Sequence, residues 1–406
     1  MAQLFAYKAR TYQGELLNGV VEADNESAAV RILRDKNVFV VDVRPAVAKG
    51  REISLGGLLQ KKVSLKELSL FCRQFSVMIG GGLPVFQALN ILAEQTENVR
   101  FRATLKKVIE RVQGGMSLAE TFRLFPDVFS PIFTSMVEAG EVSGTLEQVL
   151  ERLAVHFEKE HEIRRKVRGA LTYPAVVLVI AAVAVTVLVT FVIPRFAHIL
   201  NNMNVPLPLP TRVSIRASLF LRQYWYLVFI ILLSAVFGLR YVFGSTAGGK
   251  RIWDRFVLKL PVVGALVHKV IMARFARTLG TMSRSAVPIL AALDVVKKTT
   301  GNVVIAQAVE ETAEDVSKGG SIALLLEKSG VFPLMMTRMI AIGEQTGTLE
   351  ELLEKVAVFY DRDVEAAVER LAPTIEPVLI VFVGIIVGSI ILSIMVPLFS
   401  IYGGVQ

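Results

Sequence analysis

What most constrains this chain is that it states one passage twice, and each statement leads into an uncharged apolar stretch. "GEVSGTLEQVLERLA" fills residues 140–154 and "GEQTGTLEELLEKVA" fills 343–357, 203 residues further on. Upstream, Phe71, Arg73, Pro84, Ala88 and Leu89 match Phe275, Arg277, Pro288, Ala292 and Leu293 at an offset of 204. Thr96, Asn98 and Ser117 continue that register into Thr300, Asn302 and Ser321. Downstream, Pro174 matches Pro377 at 203, so a gap of one residue aligns the two stretches throughout. Such self-similarity marks duplication of a whole folding unit.

Each copy reads as helical. In "LKELSLFCRQFSVMI", Leu65, Leu68, Phe71, Cys72, Phe75 and Ile79 recur at steps of three and four, the period of one helix face. A Gly-rich turn and Pro84 then open another helix, and further helices are predicted over 99–113, 117–124, 129–139 and 145–168. About six helices per copy suit a compact bundle. The repeated passage reads as a joint between two helices, built from Gly140, Gly144 and Thr145 and again from Gly343, Gly347 and Thr348. Gly140 is expected to end one helix in a left-handed conformation. Thr145 with Gln148, and Thr348 with Glu351, are expected to open the next with capping boxes. Glu141 and Glu344 are expected to stand exposed at the joints, as candidates for contact with a partner.

Three stretches are apolar over the roughly 20 residues that a bilayer crossing takes. They are 175–193, 224–243 and 378–396. Pro174 and Pro377 stand just ahead of the first and third. Lys159, Arg164, Arg165, Lys166 and Arg168 precede the first span, and Lys250, Arg251, Arg255 and Lys259 follow the second. By the positive-inside rule both repeats lie in the cytoplasm, and the middle span exists to bring the chain back. The basic flanks also absorb the net charge of +9, which beside 53% hydrophobic residues suggests a lipid bilayer as partner rather than nucleic acid. No basic n-region and apolar core open the chain as a signal peptide would. The first 45 residues alternate like strands with a turn near Gln13-Gly14, followed by a helical stretch and one more strand.

The expected fold is therefore an all-α membrane protein with two repeated cytoplasmic six-helix bundles, three transmembrane helices and a small α+β N-terminal module. Its parts are the module at 1–45, a linker at 46–62, the first bundle at 63–168 and the second at 266–372. Transmembrane helices are placed at 170–195, 223–243 and 375–399, with an external loop at 196–222.

No catalytic constellation emerges. "GGGLP" at 80–84 lacks the lysine of a phosphate-binding loop, and "STAGGKR" at 245–251 has the wrong spacing. One cysteine, Cys72, and four scattered histidines offer no nucleophile pair or zinc site. The reading is a non-enzyme without a resident cofactor, whose energy comes from another chain. One candidate for Ca²⁺ is the acidic set Glu94, Glu97 and Glu151, although Val155 occupies the turn after Glu151, where a further acid would sit, and leaves the set short of ligands. Glu376, beside Pro377 at the entry to the third span, is a candidate contact for a membrane partner. A transporter or channel subunit is the alternative. Against it, the first and third spans carry only Thr186, Thr190, Ser389 and Ser393 as polar groups.

The opening "FAYKARTYQGELLNGVVEADNESAAVRILRDKNVFV", the twice-used GE-x-[ST]-G-x-L, "LTYPAVV", "FVIPRF" and "LAPTIEPVLIVFVGIIVG" resemble the inner-membrane platform proteins of type II secretion and type IV pilus systems. The resemblance covers essentially the whole chain. It implies a bacterial inner-membrane location, no catalysis, and contact with a cytoplasmic hexameric secretion or pilus ATPase. It also implies pilin-like (prepilin) subunits and other inner-membrane assembly proteins as partners, in a machine where the chain is expected to be a homo-oligomer.

Overall fold

The computed structural model describes residues 3–10, 16–23, 25–35, 39–45, 61–192 and 246–403, with scattered positions between 193 and 245. Two units divide the chain, 1–61 and 62–406. In the first, β1 (Gln3–Arg10), β2 (Leu16–Ala23) and β3 (Phe39–Pro45) form an antiparallel sheet in the order β2-β1-β3. Helix α1 (Glu26–Asp35) packs on β2 and β3 and buries Ala29. Its first turn is capped by Asn25, whose side-chain oxygen accepts from the Ala28 N–H at 2.8 Å. The turn expected at Gln13-Gly14 and nearly all of the 46–62 linker lie outside the described residues.

The second unit holds the duplication. Its first copy is α2 (Leu65–Gly80), α3 (Val85–Gln95), α4 (Val99–Gln113), α5 (Leu118–Arg123), α6 (Pro131–Ser143) and α7 (Leu146–Val187). A further helix, α8 (Ala247–Lys259), precedes the second copy. That copy is α9 (Val263–Arg284), α10 (Ile289–Thr299), α11 (Val303–Val316), α12 (Ile322–Lys328), α13 (Leu334–Thr346) and α14 (Leu349–Gly403).

Local chemistry sets the helix starts. Ser64 and Glu67 form a reciprocal capping box at α2, as do Ser117 and Glu120 at α5. Asn98 caps α4 by accepting from the Arg100 and Phe101 N–H groups, and its counterpart Asn302 caps α11 in the same way. The turn before Pro84 needs a positive φ at Gly82 (81°), and its counterpart Ala286 adopts one at 55°.

The apolar period predicted for α2 is the one it buries: Leu68, Phe71, Cys72 and Phe75 are interior. The first bundle's core is aromatic. Phe71 meets Phe101 edge-on at 5.3 Å between ring centroids, and Phe122 meets Phe133 edge-on at 4.9 Å. The aligned positions in the second copy hold Phe275, Ile305, Leu326 and Met336, all buried. Three of these four rings have been exchanged for unringed apolar chains, a change that cores tolerate when total volume is kept.

Among the described residues two helices, α7 and α14, are each long and apolar enough to cross a membrane. The helix expected to end at 168 does not end there: α7 continues through Pro174 to Val187, with a π-helical turn from Leu188 to Val192. Likewise α14 runs unbroken from the second bundle through Pro373 and Pro377. Backbone groups in hydrocarbon have no water to bond, so a helix that enters keeps its own hydrogen bonds and tolerates proline there. Thr186, Thr190 and Ser389 follow the same rule, each hydroxyl donating to the carbonyl one turn back. None of the most apolar window of α7 is buried inside the protein, as a lipid-facing surface requires. Helices α8 and α9 meet at a 109° bend, but α9 is interior to the second bundle, with Phe275, Ala276 and Leu279 fully buried. The middle span expected at 223–243 and the loop at 196–222 lie almost entirely outside the described residues.

Candidate functional site

At the first joint, α6 does not stop at Gly140. It runs on to Ser143, and the left-handed residue is Gly144, with φ of 72°. Gly343 and Gly347 repeat the pattern, with φ of 69° at Gly347. The Gly140 carbonyl accepts from the Gly144 and Thr145 N–H groups, which closes the turn. Gly140 is there for space: a Cβ would lie 3.0 Å from Val149 Cγ2 and 3.2 Å from Leu146 Cα. At Gly343 the approach is closer, 2.7 Å from Leu349 Cα.

The expected capping boxes are absent from these joints. Thr145 sits at φ −103° and ψ 32°, not in the extended conformation that aims a cap oxygen at the next turn. Its hydroxyl shares a 2.7 Å hydrogen bond with Ser143, and Thr348 shares one with Thr346.

Glu141 and Glu344 have intramolecular work. The Glu141 carboxylate accepts from the Leu118 and Ala119 N–H groups at 2.6 and 3.0 Å, in the first turn of α5. Glu344 accepts from Ile322 at 2.7 Å and Ala323 at 3.1 Å at the start of α12, and from the Ser321 hydroxyl at 2.7 Å. A helix start offers unpaired N–H groups and partial positive charge, so a carboxylate supplied from another helix satisfies both. The repeated GE is thus a cap for the short helix, delivered from the helix that follows it.

Between the copies lies a set of polar contacts. Glu160, almost wholly buried, accepts from Arg274 at 2.7 Å and from Arg164 at 3.0 Å. Burial raises its pKa, but the charge and hydrogen bond of Arg274, with Arg164 and His156, outweigh this and take it below the ordinary value. Arg152 donates to the Arg284 carbonyl and the Ser285 hydroxyl, and Lys166 pairs with Glu365. Beside these contacts is a cavity of about 360 Å³ lined by Arg152, His156, Arg277, Arg284, Glu350 and Asp361, among others. Burial, reinforced by the Arg277 charge, lowers the His156 pKa to about 4. Its Nδ1 and one Arg277 nitrogen have no hydrogen-bond partner among the described residues.

The remaining candidates fall elsewhere. Glu151 pairs with Arg73, whose guanidinium supplies the positive charge that a cation would have brought. Glu97 is exposed beyond the end of α3, and no group of three acids, histidines or cysteines suited to a metal forms among the described residues. Glu376 and Pro377 are exposed on α14, whereas Pro174 is buried on α7. Sequence reasoning missed the Arg274–Glu160 pair. Its signal was present, since Arg274 stands where the first copy has Leu70.

Residues 71–194 and 275–397 each match the domain described as Type II secretion system (T2SS), protein F, and residues 1–44 match that protein's N-terminal domain. The chain is 41% identical over 402 residues to a type IV pilus assembly protein PilC of Thermus thermophilus, covering 98% of each chain. To the PilC of Myxococcus xanthus it is 36% identical over 402 residues, 99% of this chain and 96% of that one. To a type II secretion system protein F of Pseudomonas aeruginosa it is 34% identical over 399 residues, 98% of each.

Proposed function

The chain belongs to the type II secretion system protein F family, and from that premise we propose that it is the inner-membrane platform of a secretion or pilus machine. In this reading its two bundles face the cytoplasm. They couple a hexameric ATPase to the transfer of pilin-like subunits from the bilayer into a filament, alongside other inner-membrane assembly proteins. One observation carries it: each bundle ends in a helix, α7 or α14, that continues into an apolar span without a break. An unbroken helix is a stiff lever, so displacement of a bundle moves the attached span directly. The motor then docks at the membrane-distal ends of the bundles, where Val142 and Leu324 are 86% and 69% exposed. Glu376, exposed where α14 enters the membrane, is the group we assign to filament subunits.

The test is to interrupt the levers. Two glycines inserted after Gly169 and two after Arg370 should leave membrane insertion and motor pull-down intact while abolishing filament assembly. Normal filaments from the doubly interrupted chain would refute transmission through α7 and α14. Failure of the unmodified chain to retain the motor would refute the coupling itself.

A further inference from the structure

The two copies do not meet through matching surfaces. The first presents α6 and α7, and the second presents α9, α10 and the flank of α14. Contacts run from Arg152 to Ser285 and from Glu160 to Arg274. The reverse set, α2 and α3 against α13 and α14, makes no comparable contact among the described residues. An association in which each partner uses a different patch is heterologous, and it leaves one patch of each kind unused.

Alignment of the copies identifies those unused patches. On the first copy, Leu70 and Val77 stand where the second has Arg274 and Thr281, and they are 55% and 68% exposed. On the second copy, Val358 and Phe359 stand where the first has Val155 and His156. Phe359 is 46% exposed, whereas His156 in the used interface is 6% exposed; Val358 at 46% is only as open as Val155 at 44%, so Phe359 carries the contrast. Large apolar side chains are thus left in water at positions that the chain's own packing marks as docking patches. Clustered exposure of this kind signals an interaction surface.

We propose that these patches are the two halves of an interface between copies of this chain, the α13–α14 face of one seated on the α2–α3 face of the next. Phe359 then takes the place of His156, against Leu70 and the Arg73 guanidinium, and an apolar contact replaces the polar one inside the chain. The geometry suits a membrane. Both α7 and α14 carry their apolar segments at the same end of their bundles, so repeating the contact keeps the spans side by side. A heterologous contact repeated about an axis along the membrane normal closes into a ring when its rotation divides a full turn.

The test uses the full chain in detergent and in native membranes, with Leu70→Cys and Asp363→Cys. These positions align with Arg274 and Glu160, which touch at 2.7 Å. The native Cys72 is fully buried and burial pushes its thiol pKa up, so it stays silent to maleimides. With a short bis-maleimide, a mixture of the two single-cysteine chains should cross-link, and each alone should not. A chain carrying both should give a ladder, and Phe359→Asp should abolish it with the melting point unchanged. The proposal is overturned if Leu70→Cys alone cross-links as strongly as the mixture, which would mean a symmetric contact. It is equally overturned if the mixture gives no product, if Phe359→Asp leaves the ladder intact, or if the native chain has a monomer's mass. The motor plays no part in these measurements, so their outcome is independent of the coupling reading.

Discussion

Replacing Glu344 separates a structural cap from a partner contact. The carboxylate accepts two N–H groups of the first turn of α12 and the Ser321 hydroxyl. A hydrogen bond to a charged group contributes about 1.5–3 kcal/mol where water is excluded. Glu344 is half-buried, so water recovers part of that when the side chain is removed. Adding about 0.5 kcal/mol for charge at the helix start, Glu344→Ala should cost about 2 kcal/mol. Glu344→Gln retains an acceptor and should cost about 1 kcal/mol, and Glu344→Lys, which places a cation on the positive end, about 3 kcal/mol. Glu141 makes the same two backbone bonds but is exposed, so Glu141→Ala should cost about 1 kcal/mol. Thermal and urea unfolding of the full chain in detergent would give the order Lys, Ala, Gln from worst to mildest, with early proteolysis near α12. An unchanged unfolding midpoint for Glu344→Ala together with lost motor binding would refute the cap and restore the glutamate to the partner surface.

Three further outcomes follow from the geometry. Gly343→Ala should destabilise by about 1–2 kcal/mol despite alanine's better helix propensity, because its Cβ meets Leu349 Cα at 2.7 Å; an unchanged melt would mean that the joint relaxes freely. Ala286→Gly should stabilise by about 0.5–1 kcal/mol, since a Cβ at φ of 55° is strained where the first copy uses glycine; a lower melting point would contradict that strain. His156 has a folded pKa of about 4 against an ordinary 6.5, so the folded state binds fewer protons. The stability this gives is complete above pH 6.5 and is lost as pH falls towards 4, by about 3 kcal/mol in all. His156→Phe, the residue aligned in the other copy, should flatten the melting curve across that window, and an equally steep acid decline would place the sensitivity elsewhere.

The duplication, the helical period of α2 and the glycine–proline turns were legible because each is a local or self-referential pattern. The roles within the repeated joint were not, for a specific reason. Helix-ending rules look at neighbours in sequence, whereas Gly140 answers to the chain doubling back so that Leu146 and Val149 press against it. Glu141 likewise serves an N–H group 23 residues earlier, beyond any i, i+3 pattern. The change from charged to apolar residues near 168 read as a boundary, yet it is a change of solvent around one continuous helix.

Duplicated units offer one further signal, which lies in their differences. Positions facing each copy's own core must stay apolar in both, and Phe71 with Phe275, or Phe129 with Phe332, obey that. Positions where one copy meets the other are under no such pressure to agree, because the two sides of a heterologous contact face different neighbours. Arg274 against Leu70 and His156 against Phe359 are divergences of this kind. The polar member of each pair is the one enclosed between the copies, and the apolar member is the one left outside. A surface that merely met water would more naturally show the opposite arrangement. The inversion therefore points to the outer patches being covered in the assembled protein, and the cross-linking of Leu70→Cys to Asp363→Cys is where that argument succeeds or fails.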